Sequence, residues 1–162
     1  MNRRVFVVGF GLAMVAARGA GEAANRVVIL KAKRELQLLK GSSVLRTYRV
    51  ALGRTPVGPK QRQGDGKTPE GVYAVTGRNP KSAYHRSLRI SYPEAADRER
   101  ARRAGVSPGG DIMIHGLPNG QGWIGAAHRT TDWTEGCIAV TDAEIEEIWS
   151  LVPDGTPVEI RP

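Results

Sequence analysis

Two short runs in which apolar and polar residues alternate constrain this chain most: Glu35–Lys40 (ELQLLK) and Val44–Leu52 (VLRTYRVAL), separated by Gly41-Ser42-Ser43. A repeat of two cannot line one face of a helix, whose repeat is 3.6, but it lines one face of a strand. The small glycine-containing break makes the pair a hairpin, with Leu36, Leu38, Val44, Tyr48 and Val50 expected to face the core. Arg26–Lys31, Val72–Thr76, Ser87–Tyr92 and Thr156–Ile160 read as further strands. Two segments break this pattern. Pro93–Gly105 is rich in helix formers, with acidic residues early and arginines late, an order that suits the helix dipole. Thr141-Asp142-Ala143-Glu144 fits a capping box, and Ile145, Ile148, Trp149 and Val152 follow on one helical face. The expected fold class is mainly β, a β-sandwich with one or two added helices.

At 162 residues, the chain allows one domain. Arg3 and Arg4 precede an uncharged, largely apolar run, Val5–Ala17, and then small residues around Gly21-Glu22-Ala23. That run is short for a bilayer span, so residues 1–24 are expected to be a secretory signal peptide and 25–162 the folded domain. Contact with a membrane is then expected only through an uncleaved signal. The formal net charge is +8, most of which remains without the N-terminal segment, and it suits anionic partners in a cell envelope. The basic residues are scattered rather than striped with aromatics, which excludes the usual nucleic-acid modules. His85, between Tyr84 and Arg86, reads as a surface residue.

The chemistry concentrates between Asp111 and Val140, which holds the only cysteine, Cys137, and two of the three histidines, His115 and His128. Cys137 lies between Gly136 and the apolar Ile138-Ala139-Val140, and His115 between Ile112-Met113-Ile114 and Gly116. Both read as side chains presented at strand ends, beside glycines that admit another backbone. A lone thiol in an exported protein is either a buried, inert group or a nucleophile. As a nucleophile it needs a base and oxyanion donors. His115 is the preferred base and His128 the alternative; the amides of Gly136 and Cys137 are candidate oxyanion donors, and the Gly116 carbonyl is placed to orient His115. A competing reading has Cys137 and the two histidines ligating zinc with Asp132 or Glu135, although no closely spaced ligand pair supports it. The glycine- and proline-rich Gly53–Gly71 segment is long for a plain connection and is expected to wall the site.

Thr68-Pro69-Glu70-Gly71, Ile114-His115-Gly116 and Thr134-Glu135-Gly136-Cys137-Ile138, in that order, resemble the L,D-transpeptidase catalytic-domain family of YkuD-type fold, with the resemblance running from Val27 to Pro162. The family pattern has Ser/Thr-His-Gly-Cys where this chain has Thr134-Glu135-Gly136-Cys137. The resemblance implies a periplasmic or cell-envelope β-sandwich enzyme that acts on peptidoglycan stem peptides without cofactor or metal. Cys137 would be the nucleophile, His115 the general base and Gly136 an oxyanion amide, with Thr134, Trp133 and Glu135 at the substrate. The thioester would pass to an amine, or to water as in a carboxypeptidase or an amidase that releases a peptidoglycan-linked lipoprotein. A wall-binding domain without activity is the reading from another class. A carboxylate beside a thiol disfavours the thiolate, so the Glu135 side chain is expected to point away.

Overall fold

The computed structural model describes residues 22–162; most of the expected signal segment lies outside them. The strands are β1 (Arg26–Leu30), β2 (Glu35–Lys40), β3 (Ser43–Arg49), β4 (Gly71–Ser82), β5 (His85–Ile90), β6 (Met113–His115), β7 (Ile138–Ala139) and β8 (Pro157–Arg161). The helices are α1 (Ala95–Arg103) and α2 (Asp142–Leu151), with a 3₁₀ segment at Gly122–Thr130. The strands form one mixed sheet in the order β3-β2-β1-β8-β4-β5-β6-β7. β4 is its hinge. The first residues of β4 pair with β8 and its later ones with β5, with register shifts at Val75/Gly77 and Asn79/Ser82. Such irregularities bend a strand and let one sheet serve two layers.

The two ends of the sheet meet. The chain leaving β3 bridges to β7 through Ala51 and Ala139, which exchange amide–carbonyl bonds of 3.0 and 2.9 Å. Gly53 bridges to Thr134. This pairing occupies backbone groups on the outer edge of β7 that would otherwise be open to another chain. Inside, one cluster joins Ile29, Leu36 and Leu38 from one half of the sheet to Leu88, Ile114 and Ile138 from the other, all fully buried. Each such side chain contributes roughly 1.5–3 kcal/mol through removal from water.

The hairpin departs from its expected pattern at one position. A bulge between Leu38 and Leu39 sets Leu38 opposite Arg46 but Leu39 opposite Val44. The additional residue, Leu45, packs against the core, whereas Val44 is 50% exposed. An inserted residue breaks the two-residue period, so Val44 does not share the face of Tyr48.

The helix at the C-terminal end follows its sequence. Thr141 accepts the Glu144 amide and Glu144 returns the bond to the Thr141 amide, closing the capping box. Ile145 and Ile148 then enter the core. The chain is already packed at Ala24, which is buried and donates its amide to the Leu151 carbonyl at 2.8 Å.

Candidate active site

β6 and β7 run parallel and set Cys137 and His115 on neighbouring strands. Ile114 lies opposite Ile138 and His115 opposite Ala139. Ile114 and Ile138 point into the core, so Cys137 and His115, each one residue away, share the other face of adjacent strands. Cys137 is partly buried, and its Sγ lies 3.4 Å from the Asp111 carbonyl. Burial pushes the thiol pKa up, and the Asp111 carboxylate adds to this; the Met113 amide and the Lys60 ammonium oppose it. The resting group is a thiol rather than a thiolate.

His115 is 3% exposed, and its Nδ1 lies 2.7 Å from the Gly116 carbonyl. A carbonyl only accepts, so Nδ1 carries the hydrogen and Nε2 keeps its lone pair. Burial lowers the imidazole pKa against the opposing Gly116 bond, which keeps the ring neutral. Its ring packs against Tyr84 at 4.5 Å and Trp133 at 5.8 Å between centroids.

His128, in the 3₁₀ segment, also packs against Trp133, at 6.3 Å between ring centroids. The Trp133 indole N–H donates to His128 Nδ1 at 3.2 Å. The indole nitrogen can only donate, so the one basic nitrogen of neutral His128 is occupied and its Nε2 bears the hydrogen. Burial, then the charge of Arg129, pushes its pKa down to about 4. In this arrangement His128, the alternative base, has no free lone pair, and it braces the Trp133 ring. Beyond that ring a cavity of about 300 Å³ opens between Leu117, Ile124, Ala127 and Trp133.

The turn into Cys137 is built by Thr134. Its hydroxyl donates to the Cys137 carbonyl at 2.8 Å and accepts the Gly136 amide at 3.1 Å. Thr134 is buried with its hydroxyl bonded in both directions, so it shapes the turn. The Gly136 amide, a candidate oxyanion donor, is donated to the Thr134 hydroxyl in this structure. Gly136 has φ 134°, and a Cβ there would lie 2.6 Å from the Lys67 carbonyl, so only glycine fits. Glu135 turns outward as expected, pairing with Arg54 at 2.9 Å where both are exposed. Asp132 is gripped by Arg34 Nε and Nη2, with contacts as short as 2.9 Å, and also accepts the Leu52 amide. The fourth ligands of the zinc reading are therefore committed to arginines. Among the described residues no group of three or more His, Cys, Asp or Glu is placed to hold a metal.

The segment between Gly53 and Gly71 is an ordered wall. Asp65 accepts the amides of Gln61, Arg62 and Lys67 and the buried Lys60 ammonium. Burial alone would raise its pKa; these four donors outweigh it and hold the carboxyl at about 2. Lys31, buried at the base of the wall, donates to the carbonyls of Gly58 and Thr68 and to Glu70. Thr68 accepts the Gly53 amide at 3.0 Å, tying the two ends of the segment together. Sequence reasoning did not find Tyr84 or Lys60. Tyr84 lies in the β4–β5 turn and Lys60 in the wall, and neither has a local pattern that marks it.

Cys137 and a neutral His115 imidazole lie on neighbouring strands of one mixed sheet. The chain belongs to the L,D-transpeptidase catalytic domain family (YkuD), which it matches over residues 24–160. It is 34% identical over 134 residues to the Escherichia coli K12 protein named "Putative L,D-transpeptidase YafK", covering 78% of this chain and 46% of that protein. The chain therefore spans about half the length of this curated relative. In fold it is similar to the helical cell shape determining protein Pgp2 of Campylobacter jejuni, with TM-score 0.63, 22% identity, and coverage of 88% of this chain and 52% of that one. It is similar also to an L,D-transpeptidase of Xylanimonas cellulosilytica, with TM-score 0.56, 18% identity, and coverage of 88% and 63%. Among the described residues no helix is long and apolar enough to cross a membrane.

Proposed function

We propose that this domain is a cysteine acyltransferase of the cell envelope that transfers stem-peptide acyl groups of peptidoglycan to an amine. The observation that carries this reading is the bond from His115 Nδ1 to the Gly116 carbonyl. It leaves Nε2 free on the strand face shared with Cys137.

Because the thiol and the imidazole rest neutral, the proton moves during attack rather than before it. Cys137 Sγ forms a bond to the stem-peptide carbonyl carbon as its proton passes to His115 Nε2. The oxyanion is received by the Cys137 amide, since the Gly136 amide is engaged by Thr134. The C–N bond then breaks, and the proton on His115 goes to the departing amine. An acceptor amine gives a proton to His115 as it attacks the thioester, and the C–S bond breaks to restore the thiol. Water in place of the amine would give hydrolysis, and a peptidoglycan-linked lipoprotein could then be the group released.

The test mixes the purified protein with disaccharide-tetrapeptide muropeptides and follows intact mass. An acyl adduct on Cys137, loss of D-alanine and dimeric products are expected, and Cys137→Ala should give none of them. Tripeptide monomers alone would replace the amine with water. Absence of adduct and product with both muropeptides and protein-linked peptidoglycan would overturn the enzyme reading in favour of a wall-binding domain.

A further inference from the structure

Behind the imidazole lies a carboxylate that the thiol–imidazole pair does not touch. Asp142, the first residue of α2, accepts the Leu117 amide through Oδ1 at 2.8 Å. The Leu117 N–H and the Gly116 carbonyl are the two ends of one peptide group, and that carbonyl is the oxygen holding His115 Nδ1 at 2.7 Å. Carboxylate, peptide and imidazole therefore form one unbroken series of hydrogen bonds. A peptide group is resonance-coupled from nitrogen to oxygen, so a negative charge at its N–H end increases the negative charge on its carbonyl. The effect strengthens the bond to Nδ1–H, most of all when the ring becomes imidazolium.

The backbone makes room for this carboxylate. A Cβ on Gly116 would lie 2.7 Å from Asp142 Oδ1, and one on Gly122 would lie 2.3 Å from Oδ2. The glycine after His115 is thus needed to admit a side chain from α2 as well as to end a strand. The Gly116 amide donates in turn to the carbonyls of Tyr84 and Arg86 at 3.1 and 3.3 Å, which anchors the preceding His115–Gly116 peptide group and so the backbone on the other side of the Gly116 Cα.

We propose that Asp142 is a positioning residue for His115, acting through the Gly116–Leu117 peptide group to orient the ring and to strengthen its hold on the proton taken from Cys137. The role rests on the acyl-transfer reading, but its physical content is the titration of His115, which needs no substrate. The groups that face the pair are known. His115 meets Tyr84 and Trp133, with Cys137 on the neighbouring strand and His128 against Trp133. Asp142 Oδ2 lies 3.7 Å from His85 Nδ1. Glu146 holds His85 and Arg86, and Glu144 pairs with Arg129.

The test is a ¹H–¹³C NMR titration of the three histidines in the full-length protein and in Asp142→Asn. Asparagine retains an oxygen for the Leu117 amide and removes the charge. The His115 midpoint should fall by about half a pH unit or more, the direction expected when a nearby negative charge is lost. The His128 midpoint should stay in place. A purely structural Asp142 would leave the His115 midpoint unchanged in the folded asparagine variant, and that result overturns the proposal. A second measurement needs no variant. In the unsubstituted protein the Leu117 amide proton should shift with the same midpoint as His115, and an unresponsive amide would also overturn the proposal. Failure to turn over muropeptides leaves both readouts intact, so the two readings fail separately.

Discussion

Replacing His128 by asparagine should flatten the dependence of stability on pH. His128 is 7% exposed, accepts the Trp133 indole N–H at Nδ1, and has its Nε2 buried without a hydrogen-bond partner. Charging the ring would set one N–H against another and place a cation near Arg129. Burial, with Arg129 second, accordingly lowers its pKa to about 4, and Glu144 only partly offsets them. An unfolded histidine titrates near ~6.5, so between those values the unfolded chain binds more protons than the folded one. Stability from this group is full above the unfolded pKa and is lost as pH falls from ~6.5 towards 4. The loss between pH 7 and pH 4.5 is about 2.5 kcal/mol, from about 1.4 kcal/mol per unit of separation. His115, whose pKa is also lowered by burial, contributes in the same direction. Asparagine keeps an acceptor close to the Nδ1 position and does not titrate. Urea unfolding followed by circular dichroism at the two pH values isolates the effect, because all other titrating groups are common to both proteins. His128→Asn should lose about 2.5 kcal/mol less stability on acidification than the unsubstituted protein. Equal losses would refute both the tautomer and the buried, neutral state assigned to His128.

Two further predictions concern the nucleophile. Gly136→Ala forces a side chain into a left-handed backbone position and against the Lys67 carbonyl, 2.6 Å from the new Cβ. It should cost about 1–3 kcal/mol from backbone strain alone, measured by thermal melting, and should abolish acylation; a variant as stable and active as the parent would refute the packing described. Since burial raises the Cys137 pKa above its ordinary value, alkylation by iodoacetamide should be slow at neutral pH and climb steadily through pH 9. A rate that is flat from pH 5 to 7 would instead mean a resting thiolate–imidazolium pair.

Period-two alternation was enough to establish β structure, and the capping box at Thr141 was enough to place α2, because both are written in neighbouring residues. Cys137 and His115 stood out for the same reason: each is a reactive side chain locked between an apolar run and a glycine. The 3₁₀ segment was not legible, since nine residues containing two glycines carry neither helical nor strand periodicity. Val44 misled because a bulge is a property of two paired strands, invisible in either one. Tertiary structure alone decided which histidine keeps a free lone pair. That depended on a carbonyl facing His115 and an indole facing His128, and an imidazole's tautomer is set by what its other nitrogen meets. Tertiary structure likewise turned Thr134 inward, and it carried Asp142 from the start of a distant helix to the peptide group behind His115. The sequence by itself determined which reactive groups this protein has, because composition and local pattern are one-dimensional. Their protonation, orientation and support arise from contacts between segments far apart in the chain, which only the folded sheet brings together.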